Sequence, residues 1–105
     1  MNRCSNCLEE NESVVLALPS RNYYACAKCT VTYGKNRNGD TFFPGEAVLV
    51  KSGRSPKMDG RVCIIIGIYI FEESESGRMV TLKDNESGKM LKFELDINWL
   101  TKIKN

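Results

Sequence analysis

The chemistry most visible in this chain belongs to four cysteines, Cys4 and Cys7 followed by Cys26 and Cys29, two Cys-x-x-Cys pairs with eighteen residues between them. Each pair sets two thiolates on one tight turn. The intervening stretch is long enough for a β-hairpin that returns the second turn to the first, so all four sulfurs can converge on one tetrahedral ion. That geometry points to one structural zinc. Two redox dithiols would also give paired cysteines, but such pairs sit at a strand-to-helix junction in a βαβ unit, and the first thirty residues carry no such pattern. An iron–sulfur cluster shares the ligand count, and the count alone does not separate it from zinc. With four protein ligands the coordination shell is closed to water and substrate. The chain has no histidine, and no Ser, Lys or carboxylate constellation stands out, so the expectation is a protein that binds and does not catalyse.

The elements that must position these thiols are short. Ser13–Leu18 is apolar and β-branched at its start and reads as a strand; Pro19–Asn22 reads as a turn, and Tyr23–Ala25 as the returning strand that delivers Cys26. Thr30–Tyr33 continues either as a ribbon strand or as one helical turn, limited by Gly34. Lys35–Asp40 is polar and aperiodic and reads as a linker. From Pro44 onward the pattern is short strands and polar turns: Ala47–Lys51, Arg61–Phe71, Met79–Lys83, Lys89–Leu95 and Leu100–Ile103, with a helical turn at Asp96–Trp99. The long strand carries Val62, Ile64, Ile66, Ile68 and Ile70 at period two, with Cys63, Ile65, Tyr69 and Phe71 opposite, as in a sheet curled into a small barrel. Later, Leu91, Phe93 and Leu95 are expected to face inward, and Lys92 and Glu94 outward. Cys63, the fifth cysteine, reads as a small buried hydrophobe, and Trp99 and Tyr69 as core.

Two stretches resemble known families. Cys4-Ser-Asn-Cys7, the eighteen-residue spacer, Val14 or Val15 in its middle, and Tyr24-Ala-Cys26-Ala-Lys-Cys29 look like the zinc-binding domain of the ClpX unfoldase. The resemblance implies a treble-clef finger with these four cysteines as ligands and a protein-docking role. A zinc ribbon stays open as the alternative, because that family continues into a helix after its last cysteine while this chain runs into Gly34 and Lys35. Gly45-Glu-Ala-Val-Leu-Val-Lys-Ser-Gly53-Arg54, followed by Gly60-Arg61-Val62, resembles the KOW motif of NusG-type transcription factors and a large-subunit ribosomal protein. This implies a five-stranded SH3-like barrel whose first loop touches RNA, DNA or RNA polymerase. The fold class expected is therefore mainly β: residues 1–40 form a small four-cysteine zinc finger with its linker, and residues 41–105 a KOW-type SH3-like barrel.

Charge narrows the partners. The formal charge is +2, and four thiolates with one zinc ion bring it to about zero, so bulk charge attracts nothing and nucleic-acid binding must rest on a local patch. Lys51, Arg54, Lys57 and Arg61 supply one, opposed within that span by Asp59 alone, and Arg21 and Lys28 extend it from the finger, with Arg3, Lys35 and Arg37 as further candidates. The functional expectation is a zinc-stabilised protein acting on nucleic acid or the transcription machinery through these residues. The rival is an adaptor or inhibitor of the kind a viral accessory gene encodes, docking on a host protein through the finger hairpin and the aromatics Tyr23, Phe42 and Phe43. No membrane partner and no small-molecule substrate are expected. There is no run of about eighteen apolar residues and no leader pattern after Met1, and an odd number of cysteines suits a reducing cytoplasm.

Overall fold

A computed structural model describes residues 2–51 and 59–103, and the fold is mainly β. The first hairpin pairs β1 (Val15–Leu18) with β2 (Tyr23–Ala25) antiparallel, joined by a 3-10 turn at Pro19–Arg21 and by Asn22 in the left-handed region. A second 3-10 turn, Ala27–Cys29, leads directly into β3 (Thr30–Val31). Strands β4 (Gly34–Lys35) and β5 (Thr41–Phe42) form a small ribbon.

The main sheet comprises β6 (Ala47–Val50), β7 (Val62–Ile70), β8 (Arg78–Asp84), β9 (Leu95–Asp96) and β10 (Leu100–Lys102), in the order β10-β6-β7-β8-β9. All of these pairings are antiparallel, and the last strand returns to lie beside the first. The helical turn expected before the final strand is present as a 3-10 turn at Ile97–Trp99, capped by Asp96, whose carboxylate accepts from the Asn98 N–H at 2.8 Å.

β7 organises the molecule. Along one edge it pairs with β8 over nearly its whole length; along the other, its first half pairs with β6 and its second half with β3, Thr30 opposite Tyr69 and Val31 opposite Ile68. The strand leaving the last cysteine therefore extends the main sheet. Two apolar clusters result. One fills the sheet interior with Phe42, Val48, Val50, Cys63, Ile65, Ile68, Val80, Leu82, Leu95, Ile97 and Leu100; the other gathers Cys4, Val14, Ala17, Leu18, Ala25, Cys26 and Cys29 against Phe71 and Met79. β8 separates them, with Met79, Val80, Thr81 and Leu82 all buried. The expected core roles hold for Trp99, packed on the first cluster, and Tyr69, packed on the second.

The faces of β7 differ from simple alternation. The register with β8 slips between Ile65 and Gly67, so Cys63 and Ile65 point inward, Ile66 is left exposed, and Ile68 turns inward again. A bulge inserts one residue and inverts the phase beyond it, which period-two reading cannot anticipate. The Lys89–Leu95 stretch is not a continuous strand either. It holds one isolated bridge, Lys83 with Met90, before β9 begins at Leu95. Within it Phe93 is exposed and Glu94 is buried, the reverse of the expectation, because the Glu94 carboxylate turns in to accept from the Ser20 hydroxyl at 2.7 Å. The stretch read as a linker is the turn between β4 and β5. Its Asn36 is buried, donating to the Leu100 carbonyl at 3.0 Å and accepting from the Asn38 and Asp40 N–H groups.

Candidate metal centre

The first cysteine pair sits on a knuckle closed by two backbone bonds, Leu8 N–H to the Cys4 carbonyl at 2.9 Å and Cys4 N–H to the Glu9 carbonyl at 2.8 Å. Completing that turn forces Leu8 to φ 67°, the left-handed region that L side chains avoid. The second pair spans the 3-10 turn, where the Cys26 carbonyl accepts from the N–H groups of Cys29 and Thr30 and from the Thr30 hydroxyl. Ser5 clamps the knuckle to the hairpin: its N–H donates to the Tyr24 carbonyl and its hydroxyl accepts from the Tyr24 N–H, each at 2.9 Å. Ser13 performs the matching task for the second turn, accepting from the Ala27 N–H at 3.0 Å.

These contacts bring all four sulfurs within 4.8 Å of one another, with Cys7 and Cys26 Sγ 3.5 Å apart and no disulfide among them. A tetrahedral zinc with bonds of about 2.3 Å sets its sulfurs about 3.8 Å apart, so the cluster fits that ion with little adjustment. Cys4, Cys26 and Cys29 are buried and Cys7 is exposed.

The electrostatics call for a cation. Burial pushes the Cys4 thiol up, yet the backbone N–H groups of Cys7, Cys26 and Asn6 directed at its sulfur outweigh it and hold the pKa at about 6. Cys29 is pushed up to about 12, by burial first and then by its sulfur neighbours, against the pull of the Asn6 amide that donates to it at 3.2 Å. Cys7 is also raised: the Glu9 N–H favours its thiolate, but burial and the sulfurs of Cys26 and Cys4 win. One thiolate forms readily and its neighbours then resist; a divalent ion at the centre removes that conflict. Cys63 lies in the other cluster, fully buried, and burial pushes its thiol up, as befits an inert core residue.

No protein-family model, curated protein or solved structure matched the chain. The placement of the remaining candidate residues therefore rests on geometry alone. Arg54 and Lys57 lie outside the described residues. Lys51, at the end of β6, and Arg61, at the start of β7, stand at one end of the main sheet. Arg21 and Lys28 do not join them. The Arg21 guanidinium lies 5.2 Å from the Phe71 ring centre, and Lys28 is ion-paired with Glu9 at 3.1 Å. Phe42 is fully buried in the sheet interior, with the Lys102 ammonium 4.9 Å from its ring centre. Tyr23 donates its hydroxyl to the Ile70 carbonyl at 2.9 Å and meets Phe71 edge-on; burial, then the charges of Cys4 and Cys29, raise its phenol to about 12. Phe43 is half-exposed, 6.4 Å from the ring of Tyr33, which is equally exposed.

Sequence reasoning missed three lysines. Lys83 at the end of β8, and Lys89 and Lys92 in the loop that follows it, reach the same end of the sheet as Lys51 and Arg61, because Ile64 pairs with Lys83 and Lys83 bridges to Met90. They lie well downstream in sequence of the loop that drew attention, and only strand pairing reveals the proximity.

Proposed function

We propose that this chain is a small cytoplasmic, zinc-stabilised protein that binds nucleic acid or the transcription machinery and catalyses no reaction. The carrying observation is how its charges are partitioned. Among the described residues Arg3, Lys28, Arg37 and Lys102 are each ion-paired, with Glu10, Glu9, Glu75 and Glu46 respectively. Of the eight described cations for which no ion pair is found, five, Lys51, Arg61, Lys83, Lys89 and Lys92, gather at one end of the main sheet, and Arg21, Lys35 and Arg78 lie elsewhere. Exposed cations left uncommitted at one place are what a phosphate backbone selects. The strand order, with the last strand returning beside the first after a 3-10 turn, supports an SH3-like, KOW-type barrel; one zinc held by Cys4, Cys7, Cys26 and Cys29 is the cofactor. Five unbridged cysteines suit a reducing compartment. Among the described residues no helix is long and apolar enough to cross a membrane.

The test is a gel-shift series on single- and double-stranded DNA and RNA over a range of salt, comparing the wild type with the Arg54→Ala, Lys57→Ala double variant. Phosphate recognition gives a linear fall of log affinity with log salt and a loss in the variant. No shift of any nucleic acid at low salt overturns the reading. One observation favours the rival, a protein-docking adaptor or inhibitor: the half-exposed pair Tyr33 and Phe43, whose ring centres lie 6.4 Å apart. An interface built on that patch would be nearly insensitive to salt.

A further inference from the structure

An open groove of about 730 Å³ lies between the start of β7 and the loop after β8. Arg61 forms one wall; Lys89, Met90, Lys92 and Phe93 form the other. The second wall is fixed from behind. Asp84 N–H donates to the Lys89 carbonyl at 2.8 Å, Leu91 N–H donates to the Leu82 carbonyl at 2.9 Å, and the Leu91 side chain packs on the sheet interior. With Leu91 held inward, Met90 and Phe93 are left outside, 53% and 44% exposed, each preceded by a lysine. Phe93 stands out in particular because the period-two pattern would have buried it; Glu94 took the inward place by bonding Ser20.

The charges of the groove favour an anionic ligand. Two acids line it, Asp84 and Glu86. Asp84 is occupied by the turn, accepting from the Ser87 N–H at 2.8 Å, and these Ser87 contacts ahead of the nearby charge of Arg61 hold its carboxyl below the usual range. Against these two carboxylates stand Arg61, Lys89 and Lys92, a surplus of one positive charge in the lining.

We propose that this groove binds a single-stranded polynucleotide, with a base stacked on Phe93 beside Met90 and the flanking phosphates on Arg61, Lys89 and Lys92. An exposed aromatic between cations recognises unstacked bases, and a duplex keeps its base faces to itself. The inference rests on the nucleic-acid reading above and names both its ligand class and the residues that hold it.

The experiment measures fluorescence anisotropy of labelled single-stranded RNA, single-stranded DNA and the matching duplexes against the full zinc-loaded chain. The wild type is expected to bind one or both single strands at least about ten-fold more tightly than duplex. Phe93→Ala is expected to weaken single-strand binding about ten-fold or more and leave duplex binding unchanged, while Phe93→Tyr retains it. Lys89→Ala with Lys92→Ala is expected to reduce the log–log salt slope on single strands by about 1.4. All of these side chains are exposed, so an unchanged melting temperature separates lost binding from lost folding. Equal affinity for duplex, or a Phe93→Ala variant that binds single strands as the wild type does, overturns the groove while the broader reading stands. Absence of binding to every nucleic acid at low salt overturns both.

Discussion

At the scale of single residues, the cysteine spacing was enough to foresee that four sulfurs converge, because two short loops of fixed length leave few ways to place them. What the spacing did not contain is how the sulfurs are held. Asn6 donates its amide to Cys29 Sγ, a contact between residues twenty-three apart that no local pattern announces. Partners of metal ligands typically contribute ten- to hundred-fold in affinity. Asn6→Ala is therefore expected to weaken zinc binding about ten-fold in competition with a chromophoric chelator, with the zinc-loaded fold unchanged by circular dichroism. Leu8 presents the opposite case, an exposed apolar side chain at φ 67°. Its side chain packs against little, so Leu8→Gly removes backbone strain at small cost. The variant is expected to be more stable by about 1 kcal/mol in urea titration of the zinc-loaded protein.

At the scale of elements, strands with apolar period two and a terminating turn were legible: β1, β2, β6, β7, β8 and β10 all fall where their patterns place them. The failures share one physical cause, the dependence of a face on contacts far away in sequence. The β7 bulge inverted the phase at Ile66, and Glu94 displaced Phe93 because Ser20, seventy-four residues earlier, supplied a donor. Near the bulge Gly67 is required for space: a Cβ there would lie 2.5 Å from the Tyr69 hydroxyl and 2.8 Å from its ring. Gly67→Ala must push the Tyr69 ring out of its place against the finger cluster. A net loss of about 1 kcal/mol is expected after the entropic gain of alanine, read as a lower urea midpoint. Asn36 ties the β4–β5 turn to β10 by donating to the Leu100 carbonyl, and braces the turn itself by accepting from the Asn38 and Asp40 N–H groups. Replacing it with alanine leaves the Leu100 carbonyl and two N–H groups without that partner, an expected loss of about 2–3 kcal/mol by the same measurement.

At the scale of the whole molecule, the finger and the sheet are joined by main-chain pairing. Cys29 is followed at once by Thr30, which pairs with Tyr69, so the position of the cysteine cluster determines where β3 meets β7. The second apolar cluster combines Val14, three residues of β1 and β2 and three cysteines with Phe71 and Met79. A forty-residue piece buries too little surface to fold without a staple, and here the cysteine cluster also packs with Met79 of β8. None of this was legible from composition, because it depends on which edge of β7 stays free after β6 ends. The proposed function consequently stands on one ion per chain. Its most direct test is the zinc content of the folded, purified protein, followed through exhaustive chelation by native mass spectrometry. The expected result is one zinc per chain, with its removal shifting the charge-state distribution to that of an unfolded finger; a chain that carries no metal and keeps the compact distribution of the folded protein would contradict it.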